Sequence, residues 1–383
     1  MNSTQGPRKR MRRFAAQSRM ISAALLIGMF LLSTVIGSMV LGGLVASSPS
    51  GRAIPSHGRS GSMGLDGAAA LGLAEESLLP GHSPSHAMVP YAPTTRADDV
   101  MTYDGKDGYV VLFGGVNKSS ALLGDTEKFV GGKWTKLTPS PHPGARYNSV
   151  MVYDAKDHYV VLFGGAGGSG VSNDTWKFVG GSWTNITSTA SPPARYDAAM
   201  KYDSNDGYVV LFGGLGYAGI LNDTWTFVGG VWTNITTSHH PPASFAPTLA
   251  YDSADGYMVL FGGKGNAGYL DSTWKFSAGT WTKLSTSSHP GARFFATMSY
   301  DAMDGYVVLF GGFHTSGVLG DTWTFSGGLW TKLAITSPAA RDSGAMSYDY
   351  KDHYVVLFGG FGHATTPLSG TWTFVGGIWT KLP

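Results

Sequence analysis

The sequence predicts an all-β protein, a six-bladed β-propeller of four-stranded blades, preceded by one transmembrane helix and a flexible linker. Two observations carry this prediction: a unit that recurs six times from residue 93 onward, and an uncharged apolar run near the N-terminus. Composition agrees, because 55 of the 383 residues are Gly and only 14% are charged, which argues against a coiled coil and a charge-rich disordered chain. The chain has no Cys, which excludes disulfides, thiolate metal sites and a cysteine nucleophile.

The first 20 residues form a basic segment, with Arg8, Lys9, Arg10, Arg12, Arg13 and Arg19. The uncharged run that follows, residues 21–46, has 26 residues, whereas a membrane-spanning helix needs about 20 and a cleaved signal core about 7–15. We therefore expect an uncleaved signal anchor, with the N-terminus in the cytoplasm, since basic residues stay on that side. The protein would then be a single-pass membrane protein with its propeller outside the cell. Small residues at Ala46, Ser47 and Ser48 leave cleavage, and hence secretion, as the alternative.

Residues 47–92 are rich in Ser, Gly, Pro and Ala, a composition typical of a flexible linker. The excess of basic over acidic residues lies mainly ahead of the apolar run and does not form a stripe on a folded face. A nucleic-acid partner is therefore not expected.

Each repeat unit contains two strings of residues. The first runs from Tyr103 to Gly115 and returns from Tyr153, Tyr202, Tyr251, Tyr300 and Tyr348; the second contains all 11 Trp of the chain. Self-similarity of this period indicates a repeat architecture. The expected blades are approximately residues 93–142, 143–191, 192–240, 241–289, 290–337 and 338–383.

Four short strands are expected in each unit. In the third unit, strand A covers residues 197–202, strand B 208–212, strand C 224–228 and strand D 231–235, all rich in the Val, Phe, Tyr, Trp and Thr that strands prefer. An Asp-containing turn joins strands A and B, and Gly-Gly in five units fits a tight hairpin between strands C and D. Four-stranded units that repeat in this way pack face to face around an axis, with Trp and Tyr rings in the seams.

These residues resemble the kelch repeat over residues 93–383. The resemblance is carried by Gly164-Gly165 at the end of a strand, by Trp176 and Trp183 in the next two strands, and by the Pro-x-Ala-Arg lead at Pro143 to Arg146 and Pro192 to Arg195. It implies the propeller fold and says little of activity, since function lies in sites grafted on folds. Kelch propellers often close the ring with one blade shared between both termini. Here each unit is complete, so we expect the first and last blades to close the ring by packing.

The loops between strands B and C, and between strands D and A, lie on one face and differ from unit to unit; we call this the variable face. Binding residues tend to occupy such loops over a rigid scaffold. A plain solvated loop residue is the alternative for each candidate. The candidates are Asn117, Lys118, Tyr217, Lys264, Tyr269, Phe313, His314, Phe361 and His363.

An arginine precedes strand A in five of the six units, at Arg96, Arg146, Arg195, Arg293 and Arg341, with Ser244 in the fourth. A ring of arginines at the channel mouth could hold carboxylate or sulfate groups. Alternatively, each arginine pairs with a carboxylate of its own blade. Two residues beyond lies a second set, expected just inside the mouth and able to form a pocket for a sugar or a peptide end: Asp98, Asn148, Asp197, Ala246, Phe295 and Ser343.

Two further patterns occur in the repeats. The turn Asp pairs, Asp104/Asp107 through Asp349/Asp352, could bind Ca²⁺, but such residues more often cap the turn, and no cofactor is expected. Five asparagines match the glycosylation acceptor pattern, or are plain β residues: Asn117, Asn173, Asn185, Asn222 and Asn234.

The sequence favours a binding or adhesion module for a cell-surface glycan or protein. A surface scaffold without a small ligand and a carbohydrate-active enzyme are the alternatives. Some kelch-like proteins are copper radical oxidases, but that resemblance implies a Cys-linked Tyr, which this chain lacks. Glycoside cleavage usually needs two carboxylates; the repeats contain one Glu, Glu127, so Asp98, Asp99, Asp197 or Asp342 would have to serve.

Overall fold

The computed structural model describes residues 91–383. The predicted basic segment and anchor, and the linker up to residue 90, lie outside this range. Within residues 91–383 no helix is long and apolar enough to cross a membrane. This part of the chain is all-β, with one short 3₁₀ helix, His363–Thr365, as its single helical element.

Six four-stranded antiparallel sheets, which we call blades 1 to 6, make up residues 100–381. Their strands A to D are, in blades 1 to 3, Val100–Asp104, Tyr109–Phe113, Thr126–Val130 and Lys133–Leu137; Val150–Asp154, Tyr159–Phe163, Thr175–Val179 and Ser182–Asn185; Ala199–Asp203, Tyr208–Phe212, Thr224–Val228 and Val231–Asn234. In blades 4 to 6 they are Thr248–Asp252, Tyr257–Phe261, Thr273–Ser277 and Thr280–Leu284; Thr297–Asp301, Tyr306–Phe310, Thr322–Ser326 and Leu329–Lys332; Asp342–Asp349, Tyr354–Phe361, Trp372–Val375 and Ile378–Lys381.

Short two-residue strands lie on the side of the blades toward the variable face, where some continue strand A or strand B and the others belong to the loop between strands B and C. Most blades carry two or three of them, whereas blade 6 continues A and B unbroken as eight-residue strands. The others are Arg96–Ala97 and Val116–Asn117; Arg146–Tyr147, Ala166–Gly167 and Gly170–Val171; Arg195–Tyr196, Leu215–Gly216 and Gly219–Ile220; Lys264–Gly265 and Gly268–Tyr269; Phe313–His314 and Gly317–Val318.

The local sequence explains each blade. Strand B is apolar on both faces and is buried between neighbouring sheets, as in the third blade, where its Val-Val-Leu-Phe run has no exposed surface. The C–D hairpin needs positive φ at both central residues, which Gly180 (φ 57°) and Gly181 (φ 76°) supply. The sequence placed strands B and C of blade 3 at their observed bounds. Strand A begins two residues later than expected, because Asp197 has a positive φ of 56° and belongs to the axial ring described below.

Neighbouring blades share apolar cores. The core between blades 2 and 3, for example, combines Phe163 with Met200, Leu211 and Trp232. In every seam the strand D indole Nε1 donates to a threonine Oγ1 of the preceding blade, as from Trp183 to Thr126 at 2.9 Å. Indole nitrogens thus find partners inside an otherwise apolar interface, as buried tryptophans generally do.

The sixth blade packs on the first. Trp134 of blade 1 donates to Thr371 Oγ1 of blade 6 at 2.7 Å, and their shared core includes Met101 and Phe358. Each sheet is built from one continuous stretch of chain and remains open at its edges. Repeated four-stranded blades that meet face to face in this order are consistent with a multi-bladed β-propeller.

Candidate functional site

A closed ring of six backbone hydrogen bonds surrounds the axis at the variable face. Each member donates its N–H to the carbonyl of the member in the preceding blade, at 2.7–3.1 Å, and the N–H of Asp98 closes the circle on Ser343. We call it the axial ring. Its members are the six residues that the sequence placed just inside the mouth: Asp98, Asn148, Asp197, Ala246, Phe295 and Ser343.

All six members have left-handed backbone conformations, with φ between 49° and 57°. Such conformations are uncommon outside Gly and Asn, and they cost about 1 kcal/mol or more for residues such as Ala246 and Phe295. The ring hydrogen bonds offset this strain. Because the hydrogen bonds fix the backbone, the ring presents six side chains at the mouth whatever residues they belong to. The type of residue at this position differs from blade to blade.

A small pocket of about 120 Å³ opens at the ring. It is lined by the six ring members, by the residue after each of them and by Val100. The residues that follow the ring members are Asp99, Ser149, Ala198, Pro247, Ala296 and Gly344. The two halves of the pocket differ in chemistry. Blades 1 to 3 contribute Asp98, Asn148 and Asp197, whereas blades 4 and 5 contribute Ala246 and Phe295.

Carboxyl groups on the polar side have raised pKa values. Burial raises the pKa of Asp98 to about 6, an effect that the Ser343 hydroxyl partly offsets. Burial, with the charge of Asp98 added, raises the pKa of Asp342 to about 7 and that of Asp197 well above its ordinary value. Asp99, whose two buried carboxylate oxygens lack a partner of ordinary hydrogen-bond geometry, has a pKa raised to about 7, again mainly by burial. These groups can therefore change protonation near neutral pH.

An aromatic cluster lies on the other side of the mouth, in blades 4 and 5. Phe294 packs against Phe295 with ring centroids 4.6 Å apart and against Tyr269 at 5.3 Å; Tyr269 also lies 5.7 Å from the His314 ring. The Lys264 ammonium lies 5.3 Å from the Tyr269 ring centroid. We call these residues, with Phe245 and Phe313, which also contact Phe294, the aromatic cluster. Its site candidates are Lys264, Tyr269, Phe313 and His314, which the sequence named separately and the structure brings together.

The remaining loop candidates lie apart from this cluster. Tyr217 is 75% exposed, and its hydroxyl accepts the Val171 N–H at 3.0 Å, so it bridges blades 2 and 3. Lys118 is an exposed loop residue, and His363 is exposed in the 3₁₀ helix of blade 6. Phe361 pairs with Asp342 at the end of strand B. Sequence reasoning missed Phe245 and Phe294, although each directly precedes a member of the axial ring in the chain.

The arginines are placed differently from the expected ring at the channel mouth. The guanidinium groups of Arg96, Arg146, Arg195 and Arg293 are buried within their blades, where each forms a two-pronged ion pair with Asp125, Asp174, Asp223 or Asp321 at 2.6–3.0 Å. Each also donates to the carbonyl of the first glycine after strand B. For these four arginines the expected ring at the channel mouth is therefore wrong, and the alternative, pairing with a carboxylate of the same blade, is correct.

Blades 4 and 6 depart from this pattern. Blade 4 replaces both partners by serine, Ser244 and Ser272. Blade 6 keeps Arg341 but has Gly370 near the place of the carboxylate, and Arg341 donates only to the carbonyls of Gly359 and Ala339 in the part of the chain described. Burial without a carboxylate lowers the pKa of Arg341 to about 10.

The turn aspartates are engaged in hydrogen bonds. Asp104 Oδ1 accepts the N–H groups of Lys106 and Asp107, and Asp107 Oδ2 accepts the Gly180 N–H of the next blade. Equivalent bonds recur around the molecule, including one from Gly131 of blade 1 to Asp352 of blade 6. Within residues 91–383 no group of three or more His, Cys, Asp or Glu is arranged to hold a metal ion.

The five acceptor-pattern asparagines occupy surface positions. Asn173, Asn185, Asn222 and Asn234 are exposed, and Asn117 is half-buried. Asn117, Asn185 and Asn234 each accept the N–H of the residue two positions on, as local turns do.

A second and larger cavity, of about 440 Å³, opens at the opposite end of the axis. Tyrosines from all six blades and Lys201 line it. Sequence reasoning missed this cavity. An alignment of the six A strands would have singled out Lys201, because the equivalent residues are Thr102, Val152, Ala250, Ser299 and Ser347, all uncharged.

No protein-family model matches the chain, and the search of curated proteins found no similar sequence. The class of protein is therefore defined by the fold itself, an all-β chain of repeated four-stranded blades.

Proposed function

We propose that the chain is a six-bladed, kelch-like propeller anchored in the cell membrane by residues 21–46, and that its variable face binds a glycan or protein outside the cell. The kelch resemblance rests on the glycine, tryptophan and Pro-x-Ala-Arg positions of the repeats. The anchor rests on the length and flanking charge of the apolar run.

The observation that carries the binding proposal is the two-sided mouth. Asp98 and Asp197 line the small pocket together with Phe295, whose ring packs on Phe294, and Phe294 in turn packs on Tyr269. Ligand sites commonly combine apolar or aromatic walls with a few placed polar groups. A sugar ring fits this chemistry, because its C–H face packs on an aromatic ring while its hydroxyls donate to carboxylates.

Strain supports the same location. Six residues in left-handed conformations surround the pocket, and two of them, Ala246 and Phe295, have no side chain suited to that conformation. Strained backbone tends to occur at ligand sites, where the surrounding structure holds it. The Arg–Asp pairs, by contrast, contribute to stability and are not available to a ligand.

The test is a glycan array and a cell-surface extract presented to the full chain in detergent. We expect saturable binding, reduced at least tenfold by Tyr269→Ala, because the half-buried tyrosine ring of the cluster would be lost. Met303→Ala, which removes an exposed side chain at the opposite face, is the matched control and should leave binding unchanged. Thermal unfolding checks that both variants fold.

Three other results would change the proposal. No saturable ligand would favour a surface scaffold, and equal losses in both variants would place binding elsewhere. The raised pKa values of Asp98, Asp197 and Asp342 favour a carbohydrate-active enzyme as the second candidate, since a general acid needs such a carboxyl. Release of reducing ends from a bound glycan, abolished by Asp197→Asn, would replace the binding module by that enzyme.

A further inference from the structure

The cavity at the opposite end of the axis carries a separate inference. It is lined by one residue from the middle of each A strand, by a layer of tyrosines, and by small turn residues such as Gly105 and Ser204 that mark its opening. The tyrosines are Tyr103, Tyr153, Tyr202, Tyr251, Tyr300, Tyr348 and Tyr350. A volume of about 440 Å³ lies in the range of small-molecule sites.

Lys201 is the single charged residue of this lining. At the same level of the blades the chain has Thr102, Val152, Ala250, Ser299 and Ser347, so the lysine is an exception to an otherwise uncharged layer. No ion pair or hydrogen bond of its amine occurs within residues 91–383. Burial alone, with no carboxylate to counter it, lowers the pKa of Lys201 to about 8.

An unpaired cation in a half-buried position is unfavourable, and it becomes favourable when a ligand supplies the opposite charge. Hydroxyl groups of Thr102, Ser299 and Ser347 line the same cavity, and the two serine hydroxyls make only long contacts of 3.4 Å to the next carbonyl. They are therefore able to donate to an anion. The tyrosine layer offers flat, largely apolar walls for the rest of a ligand.

Charge at the opening limits the kind of anion. The turn carboxylates surround the tyrosine layer. Burial raises the pKa of Tyr103, and the negative charges of Asp349 and Asp352 raise it further. A negative rim disfavours ligands with two or more negative charges. A ligand with a single carboxylate on a flat or apolar body satisfies both the positive charge of Lys201 and the negative charge of the rim.

We propose that this cavity binds a small organic monocarboxylate, with its carboxylate on the Lys201 ammonium and its body among the tyrosine rings. The site lies at the other end of the axis from the variable face and does not depend on the function proposed for that face.

The experiment is calorimetric titration of the full chain in detergent with benzoate at pH 7. We expect a Kd of about 1 mM or below, with benzamide, the neutral analogue, and phthalate, the dianion, at least tenfold weaker. Lys201→Met should lose benzoate binding at least tenfold. Lys106→Met is the matched control, because it removes a positive charge at an exposed turn of the same face and should bind benzoate as the wild type does.

The pH profile of the wild type tests the lysine without any variant. Benzoate affinity should be constant between about pH 6 and pH 7, where benzoate is ionised and the amine protonated. It should fall as pH rises through about 8, because only the protonated amine attracts the carboxylate. The raised pKa values of the lining tyrosines, such as Tyr103, Tyr202 and Tyr300, keep them neutral in this range. Equal affinity for benzoate and benzamide, unchanged binding in Lys201→Met, or a flat pH profile would each overturn the proposal.

Discussion

Aspartates in two regions near the variable face have opposite properties. Asp125, Asp174, Asp223 and Asp321 pair with arginines inside the blades; burial alone would raise their pKa, but the arginine hydrogen bonds and charge outweigh it and lower it. Asp98, Asp99 and Asp197 at the pocket, and Asp342 near it, form no ion pair with an arginine. Burial raises the pKa of all four, and the charge of Arg96 offsets this only in part at Asp99. The repeated carboxylates therefore stabilise the fold, whereas the unrepeated ones lower its stability at neutral pH and lie where a ligand would bind.

Breaking one ion pair should have the largest effect. Asp223→Ala leaves the fully buried Arg195 guanidinium without its carboxylate, and we expect a loss of about 3 kcal/mol or more in the free energy of unfolding. Denaturant unfolding of the full chain, followed by tryptophan fluorescence, measures this loss.

The control for that prediction already exists in blade 4. The double variant Arg195→Ser with Asp223→Ser copies Ser244 and Ser272, so it removes both charges together. It should lose less stability than Asp223→Ala alone, since neither charge stays buried without a partner. A larger loss in the double variant would show that the pair contributes through packing and not through charge.

Asp99 should destabilise the fold as pH rises, whereas the arginine-paired aspartates stabilise it. Its pKa is raised to about 7 in the folded protein from an ordinary value of 3.8, so the folded state binds more protons than the unfolded state between these values. The contribution of Asp99 to the free energy of unfolding must then fall as pH rises from 4 to 7. Asp99→Asn removes this titration, and its stability relative to the wild type should increase by about 1–3 kcal/mol between pH 4 and pH 8. A difference that stays constant with pH would contradict the burial of an ionising group at this position.

Much of the blade architecture could be predicted from the sequence, because it depends on local patterns. Turn aspartates, hairpin glycines and alternating strands identify strands B and C of blade 3 to the residue, and the complete sixth unit implied packing against the first. The seam tryptophans were expected between blades, and Trp183 and Trp232 lie there.

The axial ring could not be predicted, because it depends on the distance between blades. Nothing in the residues Ala246 or Phe295 indicates a left-handed backbone; the hydrogen bond from the neighbouring blade imposes it. The direction of the arginine side chains was equally open, since the same spacing fits a ring of free guanidinium groups or pairs within blades. The joint replacement of arginine and aspartate by Ser244 and Ser272 in blade 4 is a sequence pattern that could have favoured pairing within the blade.

The smallest effect on stability is expected from substitution of Arg341, because blade 6 has this arginine but lacks the aspartate that pairs with it in other blades. Arg341→Met removes hydrogen bonds to two carbonyls but leaves no carboxylate unpaired, so stability should change by about 1 kcal/mol or less. Arg146→Met, the matched variant, leaves Asp174 without its arginine and with only the Trp176 indole as a side-chain donor within residues 91–383, and it should cost about 3 kcal/mol or more. Equal losses would mean that Arg341 is neutralised by an anion from solvent, in which case the loss at Arg341 should shrink when chloride and carboxylate buffers are replaced.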